Sequence, residues 1–309
     1  MKYVVMGAGG VGGSLACLMG LGGMDVTLIA RGEHLEAMRD GIHFNHEGGR
    51  GEILVDSVKV SSSDEYAASG DRPDVLFLCT KTYSVRSAAP DILGMTDEHT
   101  LIVPLMNGIG VDDLVKEHAA DRTVANGCVY IYGSKTAPGH IRMDAAIFRV
   151  VFGIDGGSDV LGEVRDELEE AGINAVYSDD IRRDTIRKFS YVSPAGGAGL
   201  YYNCGCGAMQ NDGPERELFA ALIQDVEDLS TAMGVHHEVS LTEANLKIMD
   251  GIGADEKTSM QRDIAAGRQS EYDNLILTPI RLGEKYGLEM PAYRKVAEYC
   301  SENLHLSAD

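Results

Sequence analysis

Three glycines near the start of the chain have a spacing that can bind phosphate groups through the backbone. They stand in the sequence Gly7-Ala8-Gly9-Gly10-Val11-Gly12, which follows the pattern G-x-G-x-x-G. In this pattern the first glycine permits a tight turn, the second lets backbone amides approach a pyrophosphate, and the third allows a helix to pack closely on a strand. These six residues are therefore predicted to bind a dinucleotide, with the N–H groups of the following helix facing its phosphates.

The elements on either side of these glycines decide how much the pattern means. The chain contains 37 glycines, so the spacing alone could arise by chance. The apolar run Lys2–Met6 predicts a buried strand immediately before the glycines, and Ser14–Met19 predicts a helix after them. Strand, turn and helix in this order favour a dinucleotide site over a purely structural glycine turn.

The end of the second predicted strand, Asp25–Ala30, bears on which dinucleotide is bound. An enzyme that prefers NAD usually has Asp or Glu there, about 20 residues beyond the glycine turn, to bind the ribose hydroxyls. This chain has Arg31 instead, and a planar guanidinium suits the 2′-phosphate of NADP. NADP is therefore the predicted cofactor. A solvated charge at a helix start is the alternative role for Arg31, and Glu33 is a nearby acid.

Two further polar residues follow predicted strands of the same sheet. Lys81 comes directly after the strand Asp74–Thr80, and Asn107 comes after the strand Thr100–Leu105. Ligands of an open parallel sheet bind beyond the carboxyl ends of its strands. Lys81 and Asn107 are therefore candidate contacts for the cofactor.

Short apolar strands alternate with helices in the first part of the chain. Two segments, Ile42–Phe44 and Glu52–Val60, alternate apolar and polar residues and predict a β-hairpin around Gly48-Gly49. The later strands are predicted at Thr123–Tyr132, Gly139–Met143, Phe148–Ile154 and Asn174–Tyr177. This alternation is typical of an α/β protein with a parallel sheet.

Helical periodicity dominates from residue 179 onward. The helices predicted there are Asp180–Ser193, Pro214–Met233, Ser240–Met249, Tyr272–Tyr286 and Pro291–Leu304. The predicted fold is α/β, with a doubly wound, Rossmann-type NADP-binding domain over residues 1–178. An all-helical substrate and catalytic domain is predicted over residues 179–309, with substrate held in a cleft between the two domains.

Charge and composition exclude several classes of protein. The net charge of −21 and the pI near 4.7 leave no dense stripe of Lys and Arg for nucleic acid. The acidity favours solubility and is also compatible with a salt-adapted host. Neither a signal-peptide pattern nor an apolar run of about 18 residues is present in the sequence. A cytoplasmic protein without nucleic-acid or membrane partners is predicted, and its long apolar C-terminal helices are compatible with a monomer or a homodimer.

The six cysteines lack the C-x-x-C spacing of zinc and redox sites. The two nearest in sequence, Cys204 and Cys206, flank one glycine, and all six are predicted to be reduced thiols of a reducing compartment. The nine histidines are scattered, and His236-His237 is interpreted as part of a surface turn. No metal site is therefore predicted. The sequence also lacks the G-x-S-x-G elbow of hydrolases.

These motifs, in this order, resemble those of the ketopantoate reductases (2-dehydropantoate 2-reductases). The resemblance spans nearly the whole chain, and its late segment is the most specific part because dinucleotide-binding folds in general lack it. The matching motifs are Gly7-x-Gly9-x-x-Gly12, Ala30-Arg31-Gly32, Lys81-Thr82, Asn107-Gly108-x-Gly110, Arg187-Lys188-Phe189, Thr258-Ser259-Met260-Gln261-x-Asp263 and Ser270-Glu271-x-Asp273. The resemblance implies NADPH-dependent reduction of a 2-keto acid, 2-dehydropantoate, to a 2-hydroxy acid in the pathway to pantothenate and coenzyme A.

The resemblance also assigns roles to residues of the site. It makes Lys188 the general acid, because hydride arriving at a ketone carbon leaves an alkoxide that needs a proton and a nearby positive charge. It places Asn107 beside nicotinamide and substrate, Ser259 on the substrate carboxylate, and Glu271 on the substrate or the catalytic lysine. Each role has a plainer alternative. Ser259 could cap the helix that follows it, Glu271 could be a surface charge, and Lys188 could be a solvated residue on a polar helix face.

The chain departs from the family pattern close to Lys188. Family members typically carry asparagine one helical turn after the lysine and again one turn later, where this chain has Val192 and Gly196. Pro194 lies between them and is expected to disturb the helix. Two other functions therefore stay open. One is a different hydroxy-acid or opine-type dehydrogenase of the same architecture, and the other is a non-catalytic NADP-binding regulatory protein.

Overall fold

The computed structural model describes residues 1–46, 51–119, 121–144 and 148–308. The chain divides into two compact units. The first comprises Met1–Met106 and Gly110–Ile181, and the second comprises Asn107–Ile109 and the chain from Arg182 onward. The turn predicted at Gly48-Gly49 lies outside the described residues.

A six-stranded parallel sheet forms the centre of the first unit. Its strands are β1 (Lys2–Met6), β2 (Asp25–Ile29), β5 (Lys59–Ser61), β6 (Val75–Leu78), β7 (Leu101–Pro104) and β8 (Thr123–Val124). They lie in the order β5-β2-β1-β6-β7-β8, and neighbours pair in parallel. Successive residues of β1 enter two different apolar cores, Tyr3 and Val5 on one face and Val4 and Met6 on the other. Burial of both faces explains why this strand is a continuous apolar run.

The connections of this sheet run outward in both directions from β1. The chain goes from β1 to β2 and β5 on one side, and β6, β7 and β8 follow on the other. Strand order therefore reverses between β1 and β6, which is where ligands bind in sheets of this kind. The predicted α/β fold with a doubly wound sheet is confirmed.

Two smaller sheets complete the strands of the first unit. One has the order β10-β11-β3-β4 and the other β13-β12-β9. Their strands are β3 (Ile42–His46), β4 (Gly51–Val55), β9 (Asn126–Tyr130), β10 (Gly133–Ala137), β11 (His140–Met143), β12 (Arg149–Gly153) and β13 (Asn174–Tyr177). The single strand predicted over Glu52–Val60 is wrong, because the exposed Asp56-Ser57 breaks it into β4 and β5 of different sheets. The strand predicted over Thr123–Tyr132 likewise divides into β8 and β9.

The first unit also contains six helices among its described residues. They are α1 (Gly10–Leu21), α2 (Gly32–Met38), α3 (Ser63–Ser69), α4 (Val85–Met95), α5 (Val111–Lys116) and α6 (Asp159–Glu170). Helix α1 begins four residues earlier than the sequence predicts. Its first turn is rich in glycine, a poor helix former, so the periodicity alone does not reveal it.

The regular structure of the second unit is all helical over its described residues. Its helices are α7 (Ile181–Tyr201), α8 (Cys206–Met209), α9 (Pro214–Ala232), α10 (Leu241–Met249), α11 (Ser259–Ala265), α12 (Thr278–Tyr286) and α13 (Pro291–Leu304), with a π-helical turn at Asp273–Leu277. Apolar residues from most of these helices meet in one core, which also takes in Ile109. Across the described ranges, none of the helices is both long and apolar enough to cross a membrane.

Helix α7 continues through Pro194, which lies inside it. A proline cannot bond the carbonyl four residues before it, which here is the carbonyl of Ser190. Asn245 supplies the missing donor, because its Nδ2 lies 3.1 Å from that carbonyl and 2.8 Å from Ser190 Oγ. A second tertiary hydrogen bond lies next to Pro194, because the hydroxyl of Ser193 donates to the Leu275 carbonyl over 2.5 Å. Tertiary hydrogen bonds thus compensate for the lost bond inside the helix.

Candidate active site

The glycine turn after β1 has the geometry of a phosphate cradle. Gly7 has φ of +110°, and a Cβ there would lie 2.8 Å from the backbone of Cys79. A Cβ at Gly12 would lie 2.1 Å from the Gly7 carbonyl oxygen, so the start of α1 packs directly on the turn. Gly9 is different, because its Cβ would have no atom within 4 Å. Two glycines are needed for packing, and the third leaves open space at the N-terminus of α1 where an anion can approach.

The predicted cofactor contacts of the first unit follow neighbouring strands at one edge of its sheet. Met6 pairs with Ile29 and with Leu78, so the residues after these positions emerge together. Arg31 is the exposed N-cap of α2, and Lys81 is the half-buried N-cap of a short 3₁₀ turn. The structure therefore brings these two side chains to the same sheet edge as the glycine turn.

His34, which was not predicted from the sequence as a site residue, connects the glycine turn to Gly139 by two hydrogen bonds. Its buried ring accepts a hydrogen bond from the Gly139 N–H at Nδ1, over 2.9 Å. Its Nε2 lies 2.7 Å from the carbonyl oxygen of Ala8 and must donate, since a carbonyl only accepts. The ring is therefore neutral and carries its proton on Nε2. Burial lowers the pKa of His34 below its ordinary 6.5, and the positive charge of Lys135 lowers it further.

Substitution of His34 by glutamine is expected to weaken both the glycine turn and cofactor binding. Glutamine cannot span both partners, so a buried N–H or carbonyl loses its bond at a cost of about 1–3 kcal/mol. Because the folded pKa is lowered, the stabilisation by His34 is present above pH 6.5 and is lost as pH falls through the lower folded value. Urea unfolding of wild type and His34→Gln at several pH values measures this. A stability difference that grows as pH falls would contradict it.

Lys188 and Asn107 form a polar pair in the second unit. Lys188 lies in the second turn of α7 and is only 9 % exposed. Its Nζ donates a hydrogen bond to Oδ1 of Asn107. Asn107 belongs to the segment Asn107–Ile109, which is anchored by the side chain of Ile109 in the helical core. The buried ammonium of Lys188 is thus held in position by a hydrogen bond to an amide oxygen, as a buried polar group requires.

In the structure, Ser259 is not a helix N-cap and Glu271 is not a surface charge. Helix α11 is capped by Thr258, whose hydroxyl accepts from the N–H of Gln261, so Ser259 is the first helical residue and not the N-cap. Glu271 is 3 % exposed and lies just before the π-helical turn, so it is not a surface charge. Both residues therefore differ from the solvated or capping residues that they could have been.

Comparison with known protein families identifies the family of the chain. A sequence profile described as ketopantoate reductase PanE/ApbA matches residues 3–156, and the profile of the C-terminal part of the same family matches residues 180–302. The chain belongs to the ketopantoate reductase family. The first profile lies on the glycine turn and its sheet, and the second lies on α7 and the helices after it.

Relatives of this ketopantoate reductase family member cover nearly its full length. An uncharacterized oxidoreductase, YkpB of Bacillus subtilis, is 25 % identical over 96 % of each chain. A ketopantoate reductase structure from Ralstonia eutropha JMP134 has a TM-score of 0.87 at 22 % identity and covers 99 % of this chain and 100 % of that one. A D-mandelate dehydrogenase, solved with NADH and anilino(oxo)acetate, has a TM-score of 0.88 at 21 % identity with the same coverage. These structures share the fold.

The two departures from the usual ketopantoate reductase pattern have different physical origins. Residues 188, 192 and 196 lie one turn apart on the same face of α7. A Cβ at Gly196 would lie 2.6 Å from the terminal methyl group of Met260 and 3.3 Å from the hydroxyl of Thr258, so a larger residue there requires the Met260 side chain to move. Val192 is half-buried and makes this part of the helix face apolar. Gly196 therefore lies in contact with the end of Met260, whereas Val192 changes the polarity of the surface beside Lys188.

Proposed function

We propose that this protein reduces a 2-keto acid to a 2-hydroxy acid with NADPH, and that 2-dehydropantoate is the substrate to test first. The main observation behind the proposal is the buried ammonium of Lys188, which donates a hydrogen bond to Asn107. Lys188 lies on α7, within the part of the chain that matches the C-terminal profile of the ketopantoate reductase family. Burial of an ammonium costs desolvation free energy and is weak evidence of a purely stabilising role. Its presence is accounted for if it meets an anion that forms during a reaction.

The residues of the first unit fit a dinucleotide. The open space at Gly9 and the free N–H groups of α1 suit a pyrophosphate, and Arg31 suits a 2′-phosphate. We assign Gly7, Ala8, Gly9, Gly10, Val11, Gly12, Arg31, Lys81 and Asn107 to cofactor binding. The bound cofactor would supply the hydride.

The residues of the second unit would manage the proton and the substrate. Lys188 Nζ donates a proton to the carbonyl oxygen of the substrate as negative charge develops there. Asn107 fixes the direction of that ammonium, and Ser259 binds the substrate carboxylate through its hydroxyl. Glu271 orients the substrate or the lysine from a buried position.

Replacement of Arg31 by alanine tests the choice of cofactor. A hydrogen bond to a charged group contributes about 1.5–3 kcal/mol, and exposure of this arginine places the effect near the lower limit. The dissociation constant of NADPH should therefore rise about tenfold, while that of NADH changes little. Arg86→Ala removes an exposed arginine from α4 and is the matched control. Equal losses for the two cofactors in Arg31→Ala would refute the 2′-phosphate contact.

A second substrate class is favoured by one specific residue. Half-buried Val192 offers no hydrogen bond one turn beyond Lys188, whereas a hydroxylated substrate gains from a polar neighbour. The 2-keto acids that suit this surface carry a branched or aromatic apolar side chain. D-mandelate, the substrate named for a dehydrogenase of the same fold, is the hydroxy acid of this type.

The assay that tests the proposed function is NADPH oxidation with a panel of 2-keto acids. The panel contains 2-dehydropantoate, branched aliphatic 2-keto acids and phenylglyoxylate, and pairs of an amino acid with a keto acid test opine chemistry. Turnover of any single 2-keto acid supports the reductase. NADPH binding by calorimetry with no turnover across the panel would instead favour a non-catalytic regulatory protein.

A further inference from the structure

Three metal-binding side chains lie together on one face of the four-stranded sheet β10-β11-β3-β4, which is remote in sequence from the Lys188 site. They are His43 on β3, Glu52 on β4 and His140 on β11. His140 and His43 are direct partners in the register of the parallel pair β11 and β3. Glu52 pairs with Asn45, two residues beyond His43 and therefore on the same face.

The other face of this sheet holds the three strands in place. Phe44 and Ile141 alternate with the two histidines and are fully buried in the core of the first unit. The backbones that carry His43 and His140 are therefore fixed by packing. Their side chains, by contrast, are partly open to solvent, with 44 % exposure for His43 and 52 % for Glu52.

The donor atoms of the cluster are already close to one another. His43 Nδ1 lies 3.2 Å from Glu52 Oε1. The rings of His43 and His140 stack with centroids 4.3 Å apart, and one donor atom from each of the three residues lies within 4.8 Å of the others. Ligand atoms around a tetrahedral zinc ion are separated by about 3.3 Å, given metal–ligand distances near 2.0–2.1 Å. Rotation of the partly exposed side chains closes the remaining gap.

We propose that His43, Glu52 and His140 bind a divalent transition-metal ion of the zinc type. Two imidazole nitrogens and one carboxylate oxygen are a donor set that zinc accepts, whereas Mg²⁺ and Ca²⁺ prefer sites made of oxygen alone. Solvent completes the coordination. The ion joins β4, β3 and β11 across the sheet and stabilises the folded first unit, because the three ligands come together only in the folded chain. The proposal is independent of the reaction proposed above.

The proposed metal site also lies next to Gly139, which is hydrogen-bonded to His34 and through it to the glycine turn. Gly139, the neighbour of His140, accepts a hydrogen bond from the backbone N–H of His43 over 3.0 Å. The N–H of Gly139 donates to His34, which binds the carbonyl of Ala8. An ion at the cluster therefore fixes the same strand end that positions this turn.

The test is a calorimetric titration of the full chain with Zn²⁺ in excess NaCl and MgCl₂, which saturate non-specific acidic sites. Wild type is expected to bind one ion, and His140→Gln and His43→Gln are expected to weaken binding by at least roughly tenfold. The melting temperature should rise with Zn²⁺ in wild type and stay unchanged in the variants. Far-UV circular dichroism checks that each variant folds. Glu52→Gln, at an exposed position, provides the same comparison should a histidine variant fail to fold.

The matched control is His99→Gln, because His99 lies 3.9 Å from a glutamate, Glu98, and is 87 % exposed. This variant removes a histidine beside a carboxylate without touching the cluster, so it should bind Zn²⁺ as wild type does. Co²⁺ gives a second readout, since its visible absorption reports nitrogen and oxygen ligands in a low-coordinate site. Zinc binding that persists in His140→Gln, or that excess Mg²⁺ abolishes, would overturn the proposal.

Discussion

Replacement of Lys188 by alanine is expected to lower kcat for 2-keto acid reduction by about 10²–10⁴-fold, the usual contribution of a general acid. The affinity for NADPH should change much less than kcat, because Asn107 is the one assigned cofactor contact that Lys188 touches and the others belong to the first unit. The physical reason is that Lys188 supplies both the proton and the only charge that we assign to the developing alkoxide. Steady-state kinetics with the best 2-keto acid of the panel, together with calorimetric binding of NADPH, measures both quantities.

Two further variants separate the proton from the charge. Lys188→Arg keeps a cation, but a guanidinium does not give up its proton in proteins, so kcat should stay low even where the substrate still binds. Lys247→Ala removes an exposed lysine from the helical unit and should leave kcat unchanged. A Lys188→Ala enzyme with wild-type kcat would refute the proposed role of Lys188. A loss confined to KM would reduce Lys188 to a substrate contact.

The parts of the fold that could be predicted are those formed by residues close together in the sequence. The strand Lys2–Met6, the glycine turn and the helix after it are neighbours in sequence, so their order in the chain fixes their arrangement. The polar residues that follow strands were predictable for the same reason, because parallel strands share a carboxyl edge. Arg31 and Lys81 lie at that edge in the structure.

Contacts between distant parts of the chain could not be predicted in this way. Lys188 and Asn107 are separated by 81 residues, and no periodicity links them. His34 binds Gly139 across 105 residues, and the only sequence signal for it is a histidine shortly after the second strand. The helix through Pro194 depends on Asn245, which lies 55 residues after the carbonyl that it bonds. In each case a tertiary partner satisfies a polar group that local rules leave unsatisfied.

The metal cluster shows the same limit for ligand spacing. Zinc motifs are recognised in sequences when their ligands lie a few residues apart. His43 and His140 are far apart in the chain and become neighbours only because β3 and β11 pair in one sheet. Spacing therefore predicts no metal site at the place where strand register brings the two proposed histidine ligands together.

Replacement of Gly9 by alanine is expected to weaken NADPH binding by about 10- to 100-fold without lowering the stability of the fold. A Cβ at this position meets no protein atom within 4 Å, and the backbone there, with φ of −84° and ψ of −166°, is accessible to alanine. The methyl group instead occupies the space into which a pyrophosphate would fit. Loss of one hydrogen bond to a charged group, about 1.5–3 kcal/mol, gives the expected range.

Gly12→Ala is the variant with which Gly9→Ala should be compared. Its methyl group would lie 2.1 Å from the Gly7 carbonyl oxygen, so the turn must shift at a cost of about 1–3 kcal/mol in unfolding free energy. Gly9→Ala should unfold at the same urea concentration as wild type or slightly higher, since alanine restricts the unfolded chain. Both variants lose cofactor, but only one loses stability. If Gly9→Ala binds NADPH as wild type does, the glycine turn is a packing device and the cofactor site lies elsewhere.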